Sequence, residues 1–311
     1  MGMKYNIVFV HGIAQEGKDP DVLKNEWIDF LNRGLASNDP PLPPVDPATV
    51  RFPYFGDTLK QLADGVQLSE VSDIALRGGL EASDDAMQFL FDIFEEIRKS
   101  QGMSDESISD ATGGGVSQLG PENWRWIRAI LQRLDENPRL SAATIALTFY
   151  CVFQYVTNGT VRAKIDRGVA EAFSSNRPTV VVGHSLGSVI AYTLLLREGT
   201  QCGWNVPLFI TLGSPLAINA IRERAPGIAN VTNNCIPECV NSWLNGLDPV
   251  DVVALRPLTS EYFRLSPTSG SIENIEMQNW TRNHHSIGGY LTDPRVAKRI
   301  HDVCVQQPKL L

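Results

Sequence analysis

"VVVGHSLGSVIAY", residues 180–192, decides how the chain is read. Three consecutive valines form a β-branched run of the kind that fills a strand buried on both faces. From Leu186 the chain resumes as an apolar helix. Between the two lies Gly183-His184-Ser185-Leu186-Gly187, a G-x-S-x-G motif. At such a junction the serine sits on a strained strand-to-helix turn. Glycine is needed on either side because the following helix must come close to the preceding strand. The turn is also a helix N-terminus, whose free N–H groups and dipole stabilise negative charge. Ser185 is therefore the candidate nucleophile.

Outward from this junction, strands and helices alternate. "KYNIVFV" (4–10) reads as a buried strand ending in His11-Gly12. A helix is predicted over about 20–36, followed by a proline-rich link and a second strand in "ATVRFPYF" (48–55) that Pro53 cuts short. Helices are predicted over 83–100, 121–138, roughly 140–156 and 159–176, with 105–122 a small-residue connection. Beyond the elbow, strands are expected in "VPLFITLGSP", "ECVNSWLNGLDPV" and "IENIEMQ" (272–278), and a closing helix over 293–307. About six strands interleaved with helices predict an α/β class: a mainly parallel, doubly wound sheet carrying a large helical insertion over 57–157.

With the elbow in this context, the chain resembles the α/β-hydrolase family, in particular its lipase- and esterase-like members. The resemblance covers 4–13, 48–55 and 159–305, and leaves out 57–157. It implies a serine, an acid and a histidine in that chain order, and an oxyanion hole of two backbone N–H groups. "VFVHGI" matches the strand-then-His-Gly turn of lipases, so the implied donors are the N–H groups of Ile13 and Leu186, with Gly12, Gly183 and Gly187 as turn residues. The acid is expected in "LDPVDVV": Asp248, directly after the strand, is favoured over Asp251. The base is expected in "RNHHSIGGYL", where His285, directly before a serine, is favoured over His284. His285 would take the Ser185 proton and Asp248 would hold the imidazole tautomer.

His184, the variable elbow residue, is expected to pack or to anchor a loop, and His301 to lie exposed on the last helix. Ser188 and Ser214 lack the flanking glycines of an elbow. The insertion is expected to form a lid or cap over a water-poor pocket for an apolar acyl group, with 1–311 as a single domain. "DATGGGVSQLG" is a hinge or a loose loop.

The bulk composition fits this reading. The 311 residues are 43% hydrophobic with a formal net charge of −8, which argues against nucleic-acid partners and offers no polybasic handle for anionic lipid. The longest apolar run, 143–156, is too short to span a bilayer, so no stable membrane insertion is expected. Five sparse cysteines read as reduced thiols of a cytoplasmic protein, and no Cys/His spacing suggests a metal. No cofactor is implied, and the oligomeric state stays open. The expected activity is a serine esterase acting on a carboxylic ester or thioester. An acyltransferase or peptidase could use the same three residues, and a non-catalytic binding module is the reading from another class. Nucleotide binding is disfavoured by the lack of a P-loop or a G-x-G-x-x-G after the first strand.

Overall fold

The computed structural model describes residues 5–58, 83–112, 121–138, 140–173, 177–225, 235–264 and 272–305. Its strands are β1 (Asn6–Val10), β2 (Val50–Arg51), β3 (Thr179–His184), β4 (Leu208–Leu212), β5 (Trp243–Leu247) and β6 (Ile272–Glu276). They form one all-parallel sheet in the order β2-β1-β3-β4-β5-β6. The register explains the continuous apolar runs. Val8, Val181, Phe209 and Trp243 line up across four strands on one face, while Phe9, Val182, Ile210 and Leu244 line up on the other. Each row feeds a separate apolar cluster, which explains consecutive apolar residues along the central strands.

The longer helices are α1 (Pro20–Ala36), α2 (Asp84–Ser100), α3 (Asp105–Thr112), α4 (Pro121–Asp135), α5 (Ala142–Thr157), α6 (Gly159–Ala170), α7 (Leu186–Leu194), α8 (Asn219–Arg224), α9 (Ile287–Leu291) and α10 (Pro294–Val305). Helices α1, α9 and α10 cover one face of the sheet, and α2 to α8 pack on the other. Local chemistry sets several starts. Asp19 accepts the N–H groups of Asp21 and Val22 ahead of Pro20, Ser83 accepts that of Ala86, and Asn158 accepts those of Thr160 and Val161.

Two expectations need correction. Residues 105–112, read from their small polar side chains as connection, form α3. Acidic residues at its N-terminus suit the helix dipole, Ser104 Oγ accepts the Ser107 N–H at 3.2 Å, and Ile108 is fully buried against the neighbouring helices. His301, expected at the surface, is buried, because it lies on the flank of α10 that carries Ala297, Ile300 and Cys304 into the core. The Gly113–Gly115 run and residues 59–82 of the insertion lie outside the described residues. Within 84–157, the apolar faces of α2, α4 and α5 share one cluster with the sheet residues Val8, Val181 and Phe209.

Where α7 crosses β1, a side chain on Gly187 would overlap the carbonyl oxygens of Val10 and His11. At Gly183 it would come within 2.6 Å of the Ser188 Cα and 2.8 Å of the Gly187 oxygen. These neighbours are backbone and cannot rotate away. Gly187→Ala is therefore expected to cost more than about 3 kcal/mol, at or beyond the upper end of ordinary overpacking. A urea denaturation midpoint equal to wild type would contradict the close approach.

Candidate active site

The C-terminal ends of five parallel strands converge, the position where open α/β sheets place their ligands. β1 runs into His11-Gly12-Ile13, β3 into Ser185, β4 into Gly213, β5 into Asp248 and Asp251, and β6 leads on to Asn279, His284 and His285.

Ser185 has φ 54° and ψ −129°, a left-handed conformation that an L-residue adopts at a cost of about 1–3 kcal/mol. The surrounding structure holds it there. Its N–H donates to the Leu212 carbonyl at 3.1 Å, and its own carbonyl accepts from the Ser188 N–H at 2.9 Å and the Ser188 hydroxyl at 2.5 Å. Ser188 Oγ in turn lies 2.7 Å from Ser214 Oγ, so two serines set aside as nucleophiles brace the elbow from beneath. The Ser185 side chain caps no helix N–H. Its hydroxyl instead meets His285 Nε2 at 2.8 Å, and His285 Nδ1 meets Asp251 Oδ2 at 2.7 Å. In this network Nδ1 carries the proton toward the carboxylate, and Nε2 accepts from the serine.

The structure therefore puts Asp251, and not the favoured Asp248, against His285. A tight turn is responsible. The Asp251 N–H bonds the Asp248 carbonyl at 2.9 Å, so Asp251 turns back toward His285. Asp248 is taken up elsewhere: its Oδ2 meets His284 Nδ1 at 2.6 Å and accepts the Asn279 N–H at 2.7 Å. The choice of His285 over His284 for the contact with Ser185 agrees with the geometry.

Asp251 is buried, which by itself would raise its carboxyl. The facing His285, the Tyr290 hydroxyl at 2.7 Å and the Val253 N–H at 3.0 Å outweigh that, and hold it below the ordinary carboxylate range. Tyr290 also accepts the Asp248 N–H at 3.2 Å, so one phenol links the two aspartate positions. Gly213 was not singled out from sequence. Its φ is +56°, and a Cβ there would lie 3.2 Å from both Asp251 Oδ2 and His285 Nδ1, the two atoms of the hydrogen bond it underlies. The "LGSP" turn was the only signal available.

The proposed donor loop also lies against the elbow. A Cβ on Gly12 would sit 2.9 Å from the Ser185 Cβ, and Ile13 is buried beside it. Leu186 is the first residue of α7, where its N–H has no intrahelical acceptor. His11 fastens this loop: its ring stacks on Phe55 at 3.8 Å, accepts the Phe55 N–H at 3.1 Å through Nε2, and bonds the Gly12 carbonyl through Nδ1 at 2.7 Å. His184 does the same for His285, its Nε2–H donating to the His285 carbonyl at 2.8 Å.

Both fastening histidines are buried and neutral. Burial pushes His11 down to about 4, and burial together with the nearby His285 pushes His184 down to about 3. An unfolded chain protonates both near 6.5, whereas the folded chain does so only near those lower values. Their contribution is complete above about pH 6.5 and is lost as the pH falls, at up to about 1.4 kcal/mol per pH unit for each. Urea midpoints measured from about pH 7 down to about pH 4 are expected to fall steadily. A flat profile would contradict two buried neutral imidazoles.

Among the described residues, no group of three or more His, Cys, Asp or Glu side chains could hold a metal ion, and no helix is long and apolar enough to cross a membrane. All five cysteines are free thiols. Comparison with protein-family models, with curated proteins and with solved structures gives no match for this chain.

Proposed function

We propose that the chain is a serine hydrolase of α/β-hydrolase type that cleaves a carboxylic ester or thioester through an acyl-enzyme on Ser185. The observation that carries this reading is the unbroken hydrogen-bond chain Ser185–His285–Asp251 on a backbone-strained serine at the C-terminal edge of the sheet. A free hydroxyl is a weak nucleophile and needs an adjacent base. His285 Nε2 takes the Ser185 proton as Oγ attacks the ester carbonyl. The imidazolium formed is stabilised by Asp251, and then protonates the departing alkoxide or thiolate. Water, deprotonated by the same nitrogen, releases the acid and restores the serine.

The tetrahedral oxygen is assigned to the N–H groups of Ile13 and Leu186, one at the end of β1 and one at the start of α7. Each such donor contributes about 3 kcal/mol in comparable sites. Ser185 is only 1% exposed, which supports a covered site.

The test is steady-state hydrolysis of p-nitrophenyl acetate, butyrate and octanoate. Turnover with a pre-steady-state burst of nitrophenol is expected. A folded protein with no turnover on any of the three would move the reading to a binding module.

A further inference from the structure

Two adjacent histidines face two aspartates, giving a second buried couple, Asp248–His284, next to the one that reaches Ser185. We propose that Asp248, His284 and Asn279 are positioning residues: together they fix the backbone of His285 so that its imidazole spans Ser185 and Asp251. This inference rests on the reading of Ser185 as a nucleophile.

The segment from Met277 to Ser286 has no regular secondary structure, yet its hydrogen bonds are densely used. Asn279 is 2% exposed, and donates both amide hydrogens to the carbonyls that flank the base, His284 at 2.8 Å and Ser286 at 2.8 Å. The carbonyl between them, that of His285, accepts from His184. Three successive carbonyl oxygens are thus each held by a buried side chain. The Asn279 oxygen is occupied as well, by the Thr281 N–H at 3.1 Å and the Thr281 hydroxyl at 2.6 Å. A side chain on Gly289 would overlap the Asn279 amide, so α9 closes over it.

Asp248 secures the same loop from the other side. Its Oδ1 accepts the Val250 N–H at 2.8 Å, and its Oδ2 takes the Asn279 N–H and His284 Nδ1. One carboxylate therefore ties the loop after β5 to the loop after β6, and these are the loops that carry Asp251 and His285. All of its short contacts are within this fastening, which leaves it no part in the proton transfer. The consequence is catalytic, because an imidazole bonded at both ends tolerates little displacement. A shift near 1 Å costs roughly 10²-fold in rate.

Asn279→Asp retains the shape but replaces two donors with a carboxylate oxygen facing carbonyl oxygens. With p-nitrophenyl butyrate, kcat per active site is expected to fall about 10- to 100-fold with KM within about threefold. Fluorophosphonate labelling of Ser185 should slow in the same proportion, in protein that still unfolds cooperatively. Asp248→Asn carries the same comparison if Asn279→Asp does not fold. A folded variant that is merely less heat-stable, with kcat and labelling rate at wild-type values, overturns the positioning role and leaves the hydrolase reading standing. Wild type that never labels at Ser185 overturns the hydrolase reading, and this inference with it.

Discussion

Ser185→Ala is expected to lower ester turnover by about six orders of magnitude, the loss seen when a base-activated serine is removed from such a constellation. The protein should stay folded. Alanine also relieves none of the φ 54° strain, which the Leu212, Ser188 and Ser214 contacts impose on the backbone and not on the hydroxyl. A urea midpoint close to wild type, combined with the loss of turnover, would assign the hydroxyl to chemistry. Turnover within tenfold of wild type would remove Ser185 from the mechanism. Any residual rate should come from substrate binding and the Ile13 and Leu186 donors, which the substitution leaves in place.

Asp251→Asn should reduce kcat by about 10⁴-fold, because an amide in place of the carboxylate favours the wrong imidazole tautomer and leaves the imidazolium unpaired. Tyr290 and the Val253 N–H would still hold the side chain in position, so KM should change little. The loss expected for Asp248→Asn is far smaller, about 10- to 100-fold, because that residue acts only through the loop. The ratio between the two variants separates the acid that touches His285 from the one that touches His284. Equal losses would mean that the two couples share the task. A larger loss at Asp248 would reverse the assignment made from the 2.7 Å contact.

Asp251 was not legible as the partner of His285 for a physical reason. Sequence offers proximity to the end of a strand, and by that measure Asp248 leads. The outcome depends on a single turn, the Asp251 N–H on the Asp248 carbonyl, and on Asn279 and His284 capturing Asp248 from 31 and 36 residues downstream. Neither is visible in local pattern. The elbow was legible because its constraint is local. Glycine is required where α7 passes the β1 carbonyls, and Val180, Val181 and Val182 of the strand before it are apolar in succession because both sheet faces are covered.

Similar logic separates the other elements. α3 was not legible because, over 105–110, Ile108 is the one buried residue among polar ones. Gly213 escaped because glycine before Ser-Pro is ordinary turn composition, and its place beneath the Asp251–His285 bond exists only once three loops meet. His184 could be expected to pack or anchor, yet its partner, the His285 carbonyl, is a hundred residues away. The distinction follows from physics: periodicity and steric exclusion are written over short stretches, while side-chain pairing between loops is set by the assembled sheet.

The central claim, that Ser185 is a nucleophile activated by His285, is tested most directly by a fluorophosphonate probe with the modified residue located by peptide mass spectrometry. The account predicts a single adduct on Ser185 in wild type, lost in His285→Ala although the serine is still present. Labelling that persists in folded His285→Ala, or an adduct on a serine other than Ser185, would contradict it.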